Sequence, residues 1–305
     1  MEASGWRVWT AVPGRQALET DLSPTDLQTV LLSVAEARAA AVTPARLLRR
    51  WREDRFVRPS SYDPRSIASV ESRIWSLLPA HVEGVELSPV APLGTASALS
   101  TVPQNNVVST VRGTEVLSDP TNALAIEAAD RRRHQARVDV AACHRVLRAQ
   151  RFGPGAQQHF RLFAVVSSAR DGGSGRTEAD LLVDHIGLWQ RVLGALLPGL
   201  EKRLTVTVFD HPVLAERLAD SVRPALASST VPLVDDPDRV KGRGYYTSAA
   251  LGVRATDPTT GEEVDLGDGG FTTWTAQVLG DAKERCLTSC IATERLSMLA
   301  VADQV

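Results

Sequence analysis

The chain is short of aromatic residues, cysteine and net charge, and each shortage closes a route. Aromatics make up 5% of its 305 residues, too few for a platform that stacks successive unpaired bases. Cysteine occurs three times, as Cys143, Cys286 and Cys290. An odd count without framework spacing points to a reducing compartment. Cys286 and Cys290 stand four apart, but no third or fourth ligand is near them in sequence, so packing rather than a metal is expected there. Lys and Arg number 34 against 36 Asp and Glu, a formal charge of -2. No global basic field exists to hold nucleic acid, and a tRNA or DNA partner would need a local patch. No run approaches the roughly 18 apolar residues of a membrane span. The opening MEASGWRVWTAVPGRQ lacks the basic and then apolar stretches of a secretory signal. A cytoplasmic protein with no membrane partner is expected.

What is present is enough apolar sequence, 43% of the chain, to bury one large core or two small ones. The first 80 residues read as helical. Ser23-Pro24-Thr25-Asp26 is a helix start, with Ser23 as the cap, and Leu27, Val30, Leu31 and Val34 follow at helical spacing. A second helix begins at Thr43-Pro44 and runs into RLLRRWREDRFVR, a basic stretch read as a solvated face. The connector FVRPSSYDPRS precedes a third helix through Ile74 and Leu78. From Val85 the pattern changes. VELSPVAPLG and NVVSTVRGTEVLS read as strands, with a turn at Arg112-Gly113. Residues 121–150 read as helix, from a Thr121 or Asn122 cap through ALAIEAADRRR to CHRVLRAQ. HFRLFAVVSSA is a strand, DGGSGRTE a loop, DLLVDHIGLWQRVLGALL an amphipathic helix and RLTVTVFD another strand. In the last third, strands turn at Asp257-Pro258 and Thr260-Gly261, and RCLTSCIATERLSMLA is a strand running into a helix. His185 on the long helix reads as a surface or boundary residue. Glu127, Asp130 and the arginines 131–133 read as a solvated face with local pairs. Helices followed by mostly antiparallel strands argue an α+β fold.

Several local signals then fall in a recognisable order. Ile291-Ala292-Thr293-Glu294-Arg295-Leu296, a small-residue strand entering Glu-Arg-Leu, resembles motif 3 of class II aminoacyl-tRNA synthetases. Lys241-Gly242-Arg243-Gly244-Tyr245-Tyr246-Thr247 is similar to the Arg-Gly-Leu-Asp-Tyr-Tyr-Thr loop of the histidyl branch. The stretch from Glu115 to Asn122 resembles that branch's Leu-Arg-Pro-Glu-x-Thr segment, and Leu87-Ser88-Pro89 resembles the close of motif 1. Residues from Phe163 to Glu178 fall where motif 2 and its loop are expected. The resemblance covers roughly residues 70 to 303. It divides the chain into a helical N-terminal extension, 1–70, and a class II synthetase-like core, 71–305, in which helices flank a central antiparallel sheet. No anticodon-binding domain is expected after motif 3.

The resemblance implies ATP with Mg2+, a homodimer, and activation of an amino acid or related carboxylate as its adenylate. In such chemistry negative charge grows on the α-phosphate, and catalysis is positioning plus charge stabilisation by arginines, whose planar forks grip phosphate bidentately. By resemblance Arg295 holds ATP, Arg170 meets the α-phosphate, and Arg176 with Glu178 reaches the outer phosphates. Lys241 stands where the family has an arginine on the activated carboxyl group. Glu115, Asn122, Tyr245, Tyr246, Gly269 and Gly270 line the amino-acid pocket. The chain departs from the pattern at three places. With the loop aligned on Gly175-Arg176, Ser167 and Ala169 stand where motif 2 has the arginine and glutamate of Phe-Arg-x-Glu. Cys290 and Ala292 occupy motif 3 positions that are normally glycine, where a side chain crowds a nucleotide lying on the strand. Gly-Gly-Phe-Thr-Thr, residues 269–273, replaces Gly-Gly-Arg-Tyr-Asp. Three functions stay open: an adenylate-forming ligase with a tRNA or protein acceptor; a regulatory or amino-acid-sensing subunit of the ATP phosphoribosyltransferase type; and an RNA-binding accessory using the basic helix near Arg49–Arg58.

Overall fold

A computed structural model describes residues 14–153 and 156–302. Most of the opening stretch read for a secretory signal lies outside the described residues. Two helices, α1 (Pro24–Ala40) and α2 (Pro44–Glu53), stand at the N-terminal end with no buried residue between them. Ser23 accepts from the Asp26 amide, as a cap should. Leu47, Leu48 and Trp51 of α2 are exposed. The body of the molecule begins at α3 (Pro64–Leu77), which buries Ile67, Val70 and Ile74, so residue 70 falls inside a helix that belongs to the core.

The chain then runs through β1 (Glu83–Gly84), β2 (Val90–Pro92), α4 (Thr95–Ser100), β3 (Thr114–Val116), α5 (Pro120–Arg132), β4 (Arg137–Leu147) and β5 (His159–Arg170). Next come α6 (Arg176–Leu196), β6 (Lys202–Val208), α7 (Pro212–Arg217), α8 (Arg223–Leu226), β7 (Leu233–Asp235) and β8 (Ala249–Thr256). The described chain ends with β9 (Glu263–Thr272), α9 (Trp274–Leu279), β10 (Glu284–Ala292) and α10 (Thr293–Ala302). Eight strands form one sheet in the order β1-β4-β5-β10-β9-β8-β6-β7, and β2 pairs with β3 apart from it. The six central strands are antiparallel; each edge strand, β1 and β7, is added in parallel. The sheet is therefore mixed, antiparallel only through its middle.

One reading fails plainly. CHRVLRAQ is not the end of a helix: α5 stops at Arg132 and residues 137–147 form β4. The strand is covered on both faces, so Val138, Val140, Ala141, Ala142 and Val146 are all buried and the period-2 alternation that identifies a strand is erased. Its alanines tip the local preference toward helix, and tertiary pairing overrides it.

The period of 2 sorts the sheet's side chains. Phe163 and Val165 of β5 and Leu287 and Ile291 of β10 join Leu182, Ile186, Trp189 and Val192 of α6 in the larger core. Ala164, Val166 and Cys286 face the other way, toward α5 and Trp274. His185, read as a boundary residue, is instead fully buried on α6. Ser167 donates to Asp139 at 2.6 Å, so His185 Nε2–H donates to Ser167 at 2.9 Å. Its Nδ1 then accepts from Ser289 at 2.8 Å, and Ser289 accepts from the Trp189 indole at 2.8 Å. The tautomer follows from this chain of donors.

Burial pushes the His185 pKa down to about 4, although Asp139 and Asp184 pull it up. An unfolded histidine titrates near 6.5, so between those values the unfolded chain holds the extra proton and stability falls as pH falls. Each pH unit in that window costs about 1.4 kcal/mol. Denaturant midpoints followed from pH 7 to pH 4 are expected to show that slope, and His185→Gln to flatten it.

Candidate functional site

A cleft of about 300 Å³ opens on the α5 face of the sheet, where Leu162 of β5 lies beside Cys290 and Ala292 of β10. Its charged lining comes from five places. The chain just past β4 supplies Arg148, the segment before β8 supplies Lys241, β9 supplies Asp265 and Asp268, and α10 supplies Glu294 and Arg295. Asp119, which caps α5 through the Thr121 amide at 3.0 Å, lies opposite. Phe152 and Phe160 form an aromatic end, edge to face with centroids 6.3 Å apart.

Each cation is held in place. Arg148 donates through Nε to the Ser118 carbonyl at 2.8 Å and sits 3.4 Å from Asp119, its guanidinium 5.1 Å from the Phe160 ring centroid. Lys241 bridges Asp265 at 3.0 Å and Asp268 at 3.1 Å. Burial works to lower its pKa, but Asp268 and Asp265 outweigh it and the net shift is upward, so it stays an ammonium. Arg295 donates to the Asp265 carbonyl at 2.7 Å. Burial raises Cys290 well above the usual thiol range, so the cleft contains a neutral thiol and not a thiolate nucleophile.

Of the residues picked from the sequence, Arg295 and Lys241 line this cleft together. Arg170, Arg176 and Glu178 do not. Arg170 has the same parity on β5 as Leu162, but eight residues separate them, about 26 Å at 3.3 Å per residue. It pairs there with Asp281 at 2.5 Å. Arg176 turns back on its own loop, donating to the Gly172 carbonyl at 2.6 Å, and Glu178 accepts from Arg285 at 2.6 Å. The phosphate roles drawn for these three residues lose their geometry.

The residues assigned to the amino-acid pocket divide as well. Glu115 is buried away from the cleft, accepting from the Gly94 and Ala96 amides at 2.8 Å each and from Gln104; it fixes the entry to α4. Asn122 donates to Ser100 at 3.0 Å beneath the same helix. Tyr246 is buried against Gly270 on the same sheet face as the cleft, with its hydroxyl 3.4 Å from Asp268. Tyr245 packs edge-on between Tyr246 and Trp274. Burial raises both phenols, Tyr245 and Tyr246, well above their usual range, so both remain donors. Gly270 leaves room for Tyr246, since a Cβ there would lie 2.5 Å from its ring. Gly269 faces Ser289 on the α6 side, away from the cleft.

Sequence reasoning missed Arg148, Asp119, Asp265, Asp268 and Phe160. A signal for the first was present. Leu147-Arg148-Ala149-Gln150 fits the Phe-Arg-x-Glu pattern of motif 2 with an apolar first residue and an amide last. That pattern sits at the end of β4 and the start of the following turn, ahead of the stretch from Phe163 to Glu178.

No family profile matches the chain, and no curated protein sequence matches it. Solved structures do. Apo histidyl-tRNA synthetase from S. aureus superposes with a TM-score of 0.57 at 15% identity, over 80% of this chain and 69% of that one. An ATP phosphoribosyltransferase regulatory subunit/histidyl-tRNA synthetase from Bacillus halodurans C gives 0.59 at 12% identity, over 79% and 82%. A histidine–tRNA ligase subunit from Alicyclobacillus acidocaldarius gives 0.58 at 13%, over 81% and 96%. The fold is that of a class II synthetase core. In fold the chain is like the histidyl-tRNA synthetase cores among these structures.

Proposed function

We propose that the chain binds ATP and an amino acid or related carboxylate in this cleft and joins the carboxylate to the α-phosphate as an adenylate, with pyrophosphate leaving. The observation that carries the reading is the convergence of Arg148, Lys241 and Arg295 with the Phe160 ring on one cleft over antiparallel strands. Three cations beside an aromatic face match a purine nucleotide chemically: the ring stacks, and the guanidinium forks take phosphate oxygens. Arg148 would bear on the α-phosphate, where charge grows, and Lys241 on the carboxylate that attacks it. The rigid strand floor fixes both before reaction. Among the described residues no group of three or more His, Cys, Asp or Glu stands ready as a metal cage. Magnesium commonly binds through one or two carboxylates and the substrate's phosphates, and Asp265 and Asp268 would be the carboxylates to share it once Lys241, which now bridges them, turns to the ligand. A tRNA or protein acceptor and a homodimer belong to this proposal by resemblance alone.

A second reading, a regulatory subunit that senses a small molecule, is favoured by two observations. Cys290 and Ala292 both project into the cleft. Arg148 and Lys241 already face the carboxylates Asp119, Asp265 and Asp268, which an incoming triphosphate must displace or share.

The test is amino-acid-dependent exchange of labelled pyrophosphate into ATP across the twenty amino acids. One of them is expected to support exchange, and Arg295→Ala to reduce it by about a hundredfold, a loss in the range seen when one stabilising donor is removed. Absence of exchange with every amino acid, together with no ATP-induced rise in melting temperature, would move the assignment to the sensing subunit.

A further inference from the structure

The resemblance to class II cores begins near residue 70, yet one wall of the cleft comes from before it. Ser61 and Tyr62, in the connector between α2 and α3, line the cleft beside Phe152, Gln157 and Phe160. Residues 55–62 are pinned on both sides of the opening. Arg55 donates to the Ala149 carbonyl at 2.6 Å and the Gln150 carbonyl at 3.1 Å, the two residues directly after Arg148, and to Gln158. The His159 ring lies 2.5 Å from the Arg58 carbonyl, and Gln157 donates to Ser61 at 3.1 Å. Across the cleft, Ser60 donates to Glu294 at 3.2 Å, the neighbour of Arg295. A guanidinium with three acceptors, and further tethers at Arg58, Ser60 and Ser61, is far more than a passive connector needs.

We propose that residues 55–62 are a strap that completes the ligand site: Tyr62 covers a planar heteroaromatic ring of the ligand, and Arg55 is the positioning residue that anchors the strap, and Tyr62 with it, to the segment just after Arg148. This rests on the nucleotide reading above. The ring enters between Phe160 and the strap, and its phosphates extend toward Arg148 and Lys241. The N-terminal stretch is then part of the binding unit.

The experiment is calorimetric binding of ATP and of adenosine to the full chain at one ionic strength. Tyr62→Ala is expected to weaken both ligands equally, by about tenfold, the scale of one lost stacking partner. Tyr62→Phe keeps the affinity, and Tyr62→Leu, which fills the volume without an aromatic face, behaves like alanine. Arg55→Ala weakens adenosine severalfold. In the double variant of Arg55 and Tyr62 the loss is smaller than the product of the single losses, because both act through one strap; a merely structural Arg55 would give simple multiplication. Melting curves keep misfolded variants out of the comparison. If the wild-type chain binds adenosine and Tyr62→Ala and Tyr62→Leu bind it equally well, the strap is overturned and the nucleotide reading stands. If the wild-type chain binds neither ligand, the nucleotide reading falls and takes the strap with it.

Discussion

Arg148→Ala is expected to lower pyrophosphate exchange by two to three orders of magnitude, and Arg170→Ala to leave it within about twofold. Both arginines belong to the β4–β5 hairpin, and both sit on or beyond the same sheet face, so the contrast sets the cleft end of the hairpin against the end where Arg170 pairs with Asp281. Arg148 is oriented by its Nε bond to Ser118, which leaves the outer edge of the guanidinium facing Asp119 and the cleft. No other arginine lining the cleft is placed to replace it, since Arg295 is turned to the Asp265 carbonyl and Arg170 is about 26 Å away along β5. Arg148→Lys restores charge but not the two-pronged geometry, and recovers only part of the loss. Titrating ATP against the melting temperature separates the two functions: in a sensing subunit Arg148→Ala removes the ligand-induced rise though no exchange ever occurs.

The architecture was legible in the sequence because its signals are local and redundant. Ser23 ahead of Pro24 marks a helix start whatever lies around it. Asp257-Pro258 with Thr260-Gly261 marks the turn between β8 and β9, where Gly261 has φ +72°, a conformation that favours glycine. Arg295 and Lys241 were legible because a strand entering Glu-Arg-Leu and a Gly-Tyr-Tyr run fall in the order of a known fold. What was lost was lost at β4. A strand buried on both faces carries no alternation, so CHRVLRAQ read as helix and Arg148 vanished with it. The glycine-rich stretch after Arg170 resembles a phosphate loop, but Arg176 closes it with bonds to the Gly172 and Gly173 carbonyls and Arg170 pairs with Asp281. Asp265, Asp268 and Asp119 were invisible for another reason. Isolated acids mean nothing until the register of β9 against β10 sets Asp268 beside Cys290. The strap is held beside the cleft by bonds from Arg55 to residues about a hundred positions away in sequence, which no local pattern encodes.

The arginine run 131–133 shows how far three adjacent residues can differ, and it sets up the largest stability effect expected in the molecule. Arg131 and Arg133 pair with Glu127 and Asp130 along α5, as a solvated face should. Arg132 instead turns inward to Glu284 at the start of β10, with bonds of 2.6 and 2.9 Å and side-chain exposures of only 7% and 4%. It also donates to the Gln135 carbonyl, closing the turn into β4. Removing one partner of a buried pair leaves the other charge without compensation, which costs about 3–5 kcal/mol; Ser168, at 3.3 Å from Glu284, is a single neutral donor and offsets little of that. Arg132→Ala is therefore expected to lower the melting temperature by on the order of 10 °C, whereas Arg133→Ala, in a pair open to solvent, changes stability by about 0.5 kcal/mol or less. Replacing both partners, Arg132→Met with Glu284→Leu, should recover most of the loss, because the penalty lies in the unpaired charge and not in the missing contact. The same experiment bears on where the chemistry is. At this end of the sheet Arg132, Arg170 and Arg285 each face carboxylates, so substitutions here move the melting curve and leave ligand binding alone. Were Arg132→Ala to fold normally and lose ATP instead, the anion site would lie at the α6 end of β5 and the cleft around Arg148 would lose its claim.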